Sequence, residues 1–149
     1  MKISVELDLP INKVVDLFAD QNNFRYWKKD FIRYEPVSGL SGEVGAVTRL
    51  IGKRGIMLET IVSKNLPSEI IQTYDHMRGE KTMMSHRAIN RFVSLTPNKT
   101  LYELDSEVTQ VKNFLMRLML KLMAGAGKKY AQGQLDQFKA FAEGGTGGK

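Results

Sequence analysis

The sequence predicts an α+β domain in which seven antiparallel strands form a curved sheet around one long C-terminal helix. Three observations carry that expectation. Residues 2–8 alternate apolar and polar side chains and lead into an amphipathic helix. Residues 31–109 carry short β-rich runs cut by turn chemistry about every ten residues, the pattern of an antiparallel meander. Residues 111–142 read as one helix. Strands grouped together, with helices gathered towards the two ends of the chain, define the α+β class.

In KISVELD, Ile3, Val5 and Leu7 face inward while Lys2, Ser4, Glu6 and Asp8 face water, which makes a half-buried strand. Pro10 suits the first position of a helix, where its fixed φ helps and its missing N–H costs nothing. Val14, Val15, Leu17 and Phe18 supply the apolar side of that helix. The periodicity breaks in DQNNFRYWKKDF, which reads as a turn and a short second helix carrying Phe24, Tyr26 and Trp27. The turn segments SGLSGEVG, GKRG, KNLPS, MRGEK and TPNK then separate six strands, at 31–37, 45–52, 55–64, 69–77, 83–95 and 100–109. The domain is expected to span 1–142, followed by a disordered Gly-rich tail at 143–149.

Composition narrows the function classes. Of 149 residues, 42% are apolar and 26% charged, a balance that argues against both disorder and membrane embedding. No window reaches the roughly 18 apolar residues that span a bilayer. The opening MKISVELDLP alternates instead of forming an apolar export signal, and the chain has no cysteine, so a reducing cytoplasm is the expected home. The lack of cysteine excludes disulfides, thiolate metal sites and a cysteine nucleophile. With His76 and His86 the only histidines, neither a metal nor another cofactor is expected. The net charge of +6 is not gathered into one block, so no nucleic-acid partner is expected. Its largest local share, Lys112, Arg117, Lys121, Lys128 and Lys129, falls on the terminal helix and leaves transient membrane contact open.

The TPNK hairpin orients the sheet's inner face. A three-residue loop at Pro97-Asn98-Lys99 sets Arg91 opposite Asp105, Val93 opposite Glu103 and Phe92 opposite Leu104. A two-residue loop mixes charged and apolar side chains on both faces. The first register places His86, Asn90 and Ser106 beside Phe92, Tyr102 and Leu104. Polar side chains among apolar walls describe a small-molecule pocket, or polar groups that satisfy one another within a core. On the terminal helix, Phe114, Leu115, Met116, Leu118, Met119, Leu122 and Met123 sweep a stripe wider than the ~100° of an ordinary amphipathic helix. Such a helix needs apolar contact on two sides: the sheet, and a ligand, the second helix, a partner subunit or a membrane surface. Gly125 and Gly127 then suggest a bend or a close approach to the sheet.

In this order of elements the chain resembles the START-like, helix-grip (SRPBCC-type) superfamily. That group includes the birch pollen allergen, START lipid-transfer domains and bacterial polyketide cyclase/dehydrase-like proteins. The resemblance covers residues 1–142 and rests on ISVELDLPINKVVDLFAD, NFRYW, GEVGAVTRLIG, IVSKNLPSEIIQTYD and the basic terminal helix. It implies a cavity between sheet and terminal helix that takes lipids, polyketides or aromatic metabolites, and it carries over no catalytic residue.

The expected function is a binder or carrier of a hydrophobic small molecule. The alternatives are a polyketide cyclase/dehydratase-like enzyme and an interaction module that uses the apolar helix. The expected ligand-binding set is Trp27, Met57, Tyr74, His86, Asn90, Phe92, Tyr102, Leu104, Leu115, Leu118, Met119 and Leu122. Trp27 is expected at the cavity mouth. The catalytic residue is left open with His86 as the best candidate, since it titrates near neutral pH, and Tyr74, Tyr102 and Glu59 behind it. Oligomeric state is left open.

Overall fold

A computed structural model describes residues 1–144. In chain order the elements are β1 (Lys2–Leu7), α1 (Ile11–Ala19), a 3-10 turn (Gln21–Asn23), α2 (Phe24–Trp27), β2 (Phe31–Ser38) and β3 (Val47–Gly52). They continue with β4 (Gly55–Asn65), β5 (Glu69–Arg78), β6 (Lys81–Thr96), β7 (Lys99–Val111), α3 (Phe114–Leu122) and α4 (Ala124–Gly144). The seven strands form one sheet in the order β1-β7-β6-β5-β4-β3-β2, and every neighbouring pair is antiparallel. Of the expected tail, residues 143 and 144 close helix α4, and 145–149 lie outside the described residues.

The helices bury the faces their sequences offer. In α1, Val14, Val15 and Phe18 are buried against β6 and β7, with Pro10 just outside the helix as its extended N-cap. In α4, Leu135, Phe138 and Ala142 are buried and the helix lies along β1 and α2. The core is aromatic where these elements meet. Phe18 stacks on Trp27 at 5.5 Å and sets its ring edge-on to Phe92 at 5.2 Å and Tyr102 at 5.4 Å. Phe138 meets Trp27 at 4.9 Å and Tyr102 at 5.8 Å. Each such pair adds about 0.5–1.5 kcal/mol beyond the area it buries.

Two expectations about these elements are corrected. The β6–β7 loop has two residues, Pro97-Asn98, since Thr96 pairs with Lys99. A bulge between Ser94 and Thr96 then shifts the register, so that Arg91 faces Glu103, Phe92 faces Tyr102 and Asn90 faces Leu104. The partners differ by two residues from those expected while the faces stay the same, because the one-residue slip of the shorter loop and the one-residue shift of the bulge add to an even number.

The terminal helix is also not continuous. β7 runs to Val111, and α3 and α4 are separated at Met123, whose φ of −101° and ψ of 9° leave the helical region. The Ala-Gly-Ala-Gly segment that follows has weak helix propensity. A Cβ at Gly125 or Gly127 would meet nothing within 4 Å, so these glycines mark the break and no close approach.

Phe138 has no exposed surface and ties α4 to both α2 and the sheet. Phe138→Ala is expected to cost about 3–5 kcal/mol. In urea unfolding this lowers the midpoint and leaves the slope unchanged.

Candidate functional site

The concave face of the sheet takes alternate residues of each strand, so the site can be built strand by strand. β4 contributes Met57, Glu59 and Ile61, β5 contributes Ile70, Gln72, Tyr74 and His76, and β6 contributes His86, Ala88, Asn90 and Phe92. Tyr102 and Leu104 follow on β7. A chain of buried hydrogen bonds crosses these strands. Tyr102 Oη donates to Asn90 Oδ1 at 2.7 Å, Asn90 Nδ2 donates to Gln72 Oε1 at 3.1 Å, and Tyr74 Oη donates to the same Gln72 Oε1 at 3.1 Å. Burial raises the pKa of Tyr102, and burial and then the Glu59 carboxylate raise that of Tyr74, so both remain phenols.

Above this network lie a carboxylate and an ammonium that feel each other's charge without forming a salt bridge. Glu59 is 2% exposed, and its Oε2 has no hydrogen-bond partner. Tyr74 Oη lies between Gln72, to which it donates, and the Glu59 carboxylate, whose charge and hydrogen bonding raise its pKa, and neither contact reaches Glu59 Oε2. Lys28, the residue after α2, is half-buried. Its Nζ lies over the rings of Phe24 at 4.6 Å, Trp27 at 4.8 Å and Tyr74 at 5.6 Å. Burial lowers the Lys28 pKa, and the attraction of Glu59 partly restores it. Three aromatic faces are a favourable setting for a cation removed from water.

Phe18, Phe24, Trp27, Lys28, Glu59 and Gln72 are among the walls of a cavity of about 90 Å³ between α1, α2 and strands β4 and β5. Its other walls include Gly42 of the β2–β3 loop and Lys64 at the end of β4. Lys64 Nζ holds that loop in place, donating to the Gly42 carbonyl at 2.8 Å and to Glu43 at 3.1 Å. Trp27 Nε1 and Glu59 Oε2 are the two buried side-chain polar atoms without a partner among the described residues, and both residues line this cavity.

The structure brings Met57, Tyr74, His86, Asn90, Phe92, Tyr102 and Leu104 onto one face, with Trp27 packed over it. It does not bring the α3 residues there. Leu115, Leu118, Met119 and Leu122 are exposed, so the wall expected from them is not formed, and the cavity lies between α1–α2 and the sheet instead. Phe92 and Tyr102 stack at 4.9 Å in the core, and of the residues expected to bind a ligand only Trp27 lines the cavity. Trp27, expected at a mouth, is 2% exposed and sits deep in the aromatic cluster.

His86 faces inward, stacked on Tyr74 at 4.9 Å with its Nδ1 2.9 Å from Nε2 of His76. Burial first, and then His76 and Lys28, push its pKa down to about 4. At neutral pH it is an uncharged imidazole, which removes the reason for preferring it as an acid–base group.

The sequence reading passed over Lys28 and gave Glu59 only a minor place. Glu59 had a signal: it shares strand parity with Met57 and Ile61, a carboxylate in an apolar row. Lys28 had none beyond its place after an aromatic run.

By sequence, no family model and no curated protein matches the chain. Its fold does have matches among solved structures. A hypothetical protein from Helicobacter pylori aligns with a TM-score of 0.74 at 12% identity, covering 95% of this chain and 86% of that one. The di-domain ARO/CYC protein StfQ of the steffimycin biosynthetic pathway aligns with a TM-score of 0.70 at 16% identity, over 96% of this chain and 44% of its own. A second di-domain ARO/CYC protein, BexL of the BE-7585A pathway, gives 0.73 at 10% identity, over 93% and 44%. The chain has the helix-grip fold that these solved structures share. It spans under half the length of each di-domain protein. Identities this low speak for the fold alone. Among the described residues no helix is long and apolar enough to cross a membrane.

The His76–His86 pair makes the helix-grip core sensitive to acid. The His86 pKa is lower in the folded chain than the ordinary 6.5, so the unfolded chain binds the proton more readily. Stability is therefore full above about pH 6.5 and falls as pH drops towards 4, by roughly 3 kcal/mol at most. The lowered pKa of His76 acts in the same direction. Urea unfolding of the wild type and His86→Gln at pH 7, 5.5 and 4.5 should show the wild type losing more. Parallel pH curves would contradict this.

Proposed function

We propose that the protein binds a small hydrophobic molecule carrying a hydroxyl or similar group, held in the cavity beneath α1 and α2. The observation that carries this reading is the pair of unpartnered buried atoms. Trp27 Nε1 offers a donor and Glu59 Oε2 an acceptor, on two residues that line the same apolar space. Leaving either unmatched costs about 1–3 kcal/mol, more for the charged carboxylate. A phenolic or enolic hydroxyl answers both, donating to Glu59 and accepting from Trp27, while its carbon skeleton packs on Phe18, Ile61 and Ile70.

At about 90 Å³ the cavity is smaller than the roughly 300 Å³ at which ordinary ligand pockets begin. Binding on this reading displaces the β2–β3 loop that Lys64 holds. That loop turns on Gly39, Gly42 and Gly45, all at positive φ, and exposes Leu40 and Val44. The fold shared with two ARO/CYC proteins supports a hydrophobic, polyketide-like ligand class.

A second reading, catalysis on such a ligand, is favoured by one observation. Lys28 is a half-buried amine whose pKa burial lowers and the buried Glu59 carboxylate partly restores, the kind of setting that tunes proton-transfer groups. In that case Lys28 and Glu59, and not His86, exchange the proton.

Native mass spectrometry of the purified protein tests for a bound molecule, and calorimetry with 2-naphthol, a phenol on an apolar frame, tests the site. Saturable binding with a change in Trp27 emission is expected. Glu59→Gln should weaken it about tenfold, about 1.4 kcal/mol. No adduct together with no 2-naphthol binding defeats the proposal. Binding that Glu59→Gln leaves untouched places the ligand elsewhere.

A further inference from the structure

α3 is turned the wrong way for a gripping helix. Asn113 caps it, its Oδ1 accepting from Met116 N–H at 2.8 Å. At about 100° per residue, Met116 and Leu120 lie on one side, half-buried against the protein body. Next to them around the helix, Phe114, Leu115, Leu118, Met119 and Leu122 cover roughly 140° of the circumference, and Met123 follows at the C-cap. Their exposures are 78, 68, 43, 53, 78 and 56%. An open groove of about 400 Å³ separates the helix from the end of β7. Six large apolar side chains side by side in water mark an interaction surface.

The surrounding charge identifies what the surface fits. From Val108 to Leu135 the chain holds no Asp or Glu, and it carries Lys112, Arg117, Lys121, Lys128 and Lys129. Arg117 and Lys121 lie between the Phe114 edge of the apolar face and the groove they line with Leu120, and long basic side chains there can extend past that edge while their stems stay in apolar contact. Two copies of the face pressed together would set like charges against each other with no acid in the segment to offset them. An anionic bilayer supplies both missing halves, an apolar layer for the leucines and phosphates for the cations.

We propose that α3 is an interfacial helix that docks the protein, lying flat, onto a membrane surface rich in anionic lipid. This goes beyond the cavity reading and does not depend on it, because the test needs no cavity ligand. Vesicles of phosphatidylcholine, alone or with phosphatidylglycerol, are sedimented with the full chain at low and high salt. The wild type should pellet with the anionic vesicles, and salt should weaken this by screening. Leu115→Glu combined with Leu122→Glu should lower binding at least tenfold with an unchanged circular-dichroism spectrum, since both positions are exposed. Arg117→Gln combined with Lys121→Gln should remove most of the preference for anionic vesicles. Leu118→Trp should shift its emission to the blue on anionic vesicles only. A wild type that stays in the supernatant overturns the proposal, as does equal binding to both vesicle types or by the double Glu variant. A dimer that the double Glu variant dissolves, without vesicle binding, would assign the face to a second copy and overturn it too.

Discussion

The packing of Phe18, Trp27 and Phe138 over the Phe92–Tyr102 pair is the constraint from which the site follows. α2 has only four residues, and a single turn has no stability of its own in water. Its position comes from Trp27, which is held between Phe18 at 5.5 Å and Phe138 at 4.9 Å. Once Trp27 is fixed, the next residue has little choice. Lys28 leaves the turn in an extended conformation with its N–H bonded to the Phe24 carbonyl, and its ammonium ends among the rings of Phe24, Trp27 and Tyr74. An aromatic cluster that reads as ordinary core thus delivers a cation to the inner face.

That core treats its polar groups in two ways. Tyr102, Asn90, Gln72 and Tyr74 satisfy one another in a line across three strands, a closed network of the kind that fixes a unique packing. Glu59 and Trp27 stand beside it with an acceptor and a donor unmatched. A buried carboxylate facing a cation without hydrogen bonds to share its charge is poor value as a stabilising pair, because desolvation offsets most of the attraction. Replacing the Glu59 and Lys28 pair by apolar residues of equal size would suit the fold equally well or better. Their presence beside a cavity is therefore better explained by what the cavity holds than by stability.

The sequence made much of the fold legible, for local reasons. Alternation in KISVELD, the apolar face of α1 and regular turn chemistry place strands and helices close to where they lie. The faces of the β6–β7 hairpin were readable even though its partners were not, because the shorter loop and the bulge each shift the register by one residue, and an even total keeps the parity. His86 on the inner face was legible in the same way. Its neutrality was not, since that depends on burial first and then on His76 and Lys28, which other elements bring to it. Lys28 was hidden because its direction is set by tertiary contacts of a four-residue helix. The breadth of the apolar stripe on α3 was plain from periodicity, but periodicity shows that a face exists and not what it meets. A stripe this wide implies the sheet on one side, yet α3, set off from α4 at Met123, leaves most of it exposed.

The two surfaces left incomplete lie at opposite ends of the sheet. The cavity opens towards the β2–β3 loop and the end of β4, where Lys64 and Gly42 meet. α3 follows the far end of β7, where Val111 pairs with Met84 at the start of β6. A bilayer in contact with α3 would therefore face the end of the sheet away from the β2–β3 loop. A ligand using that loop as its gate would pass through water or a second protein, and not directly from the lipid phase. Docking at one end and binding at the other are then separate capacities of one fold. The link between them is α4, which runs from the break at Met123 to the buried Phe138 at the wall of Trp27. Any tilt that docking imposes on α3 reaches the site along β7, which α3 also contacts, or through the first turns of α4. Those turns carry Gly125 and Gly127 and are exposed throughout, so they form a flexible joint more than a lever.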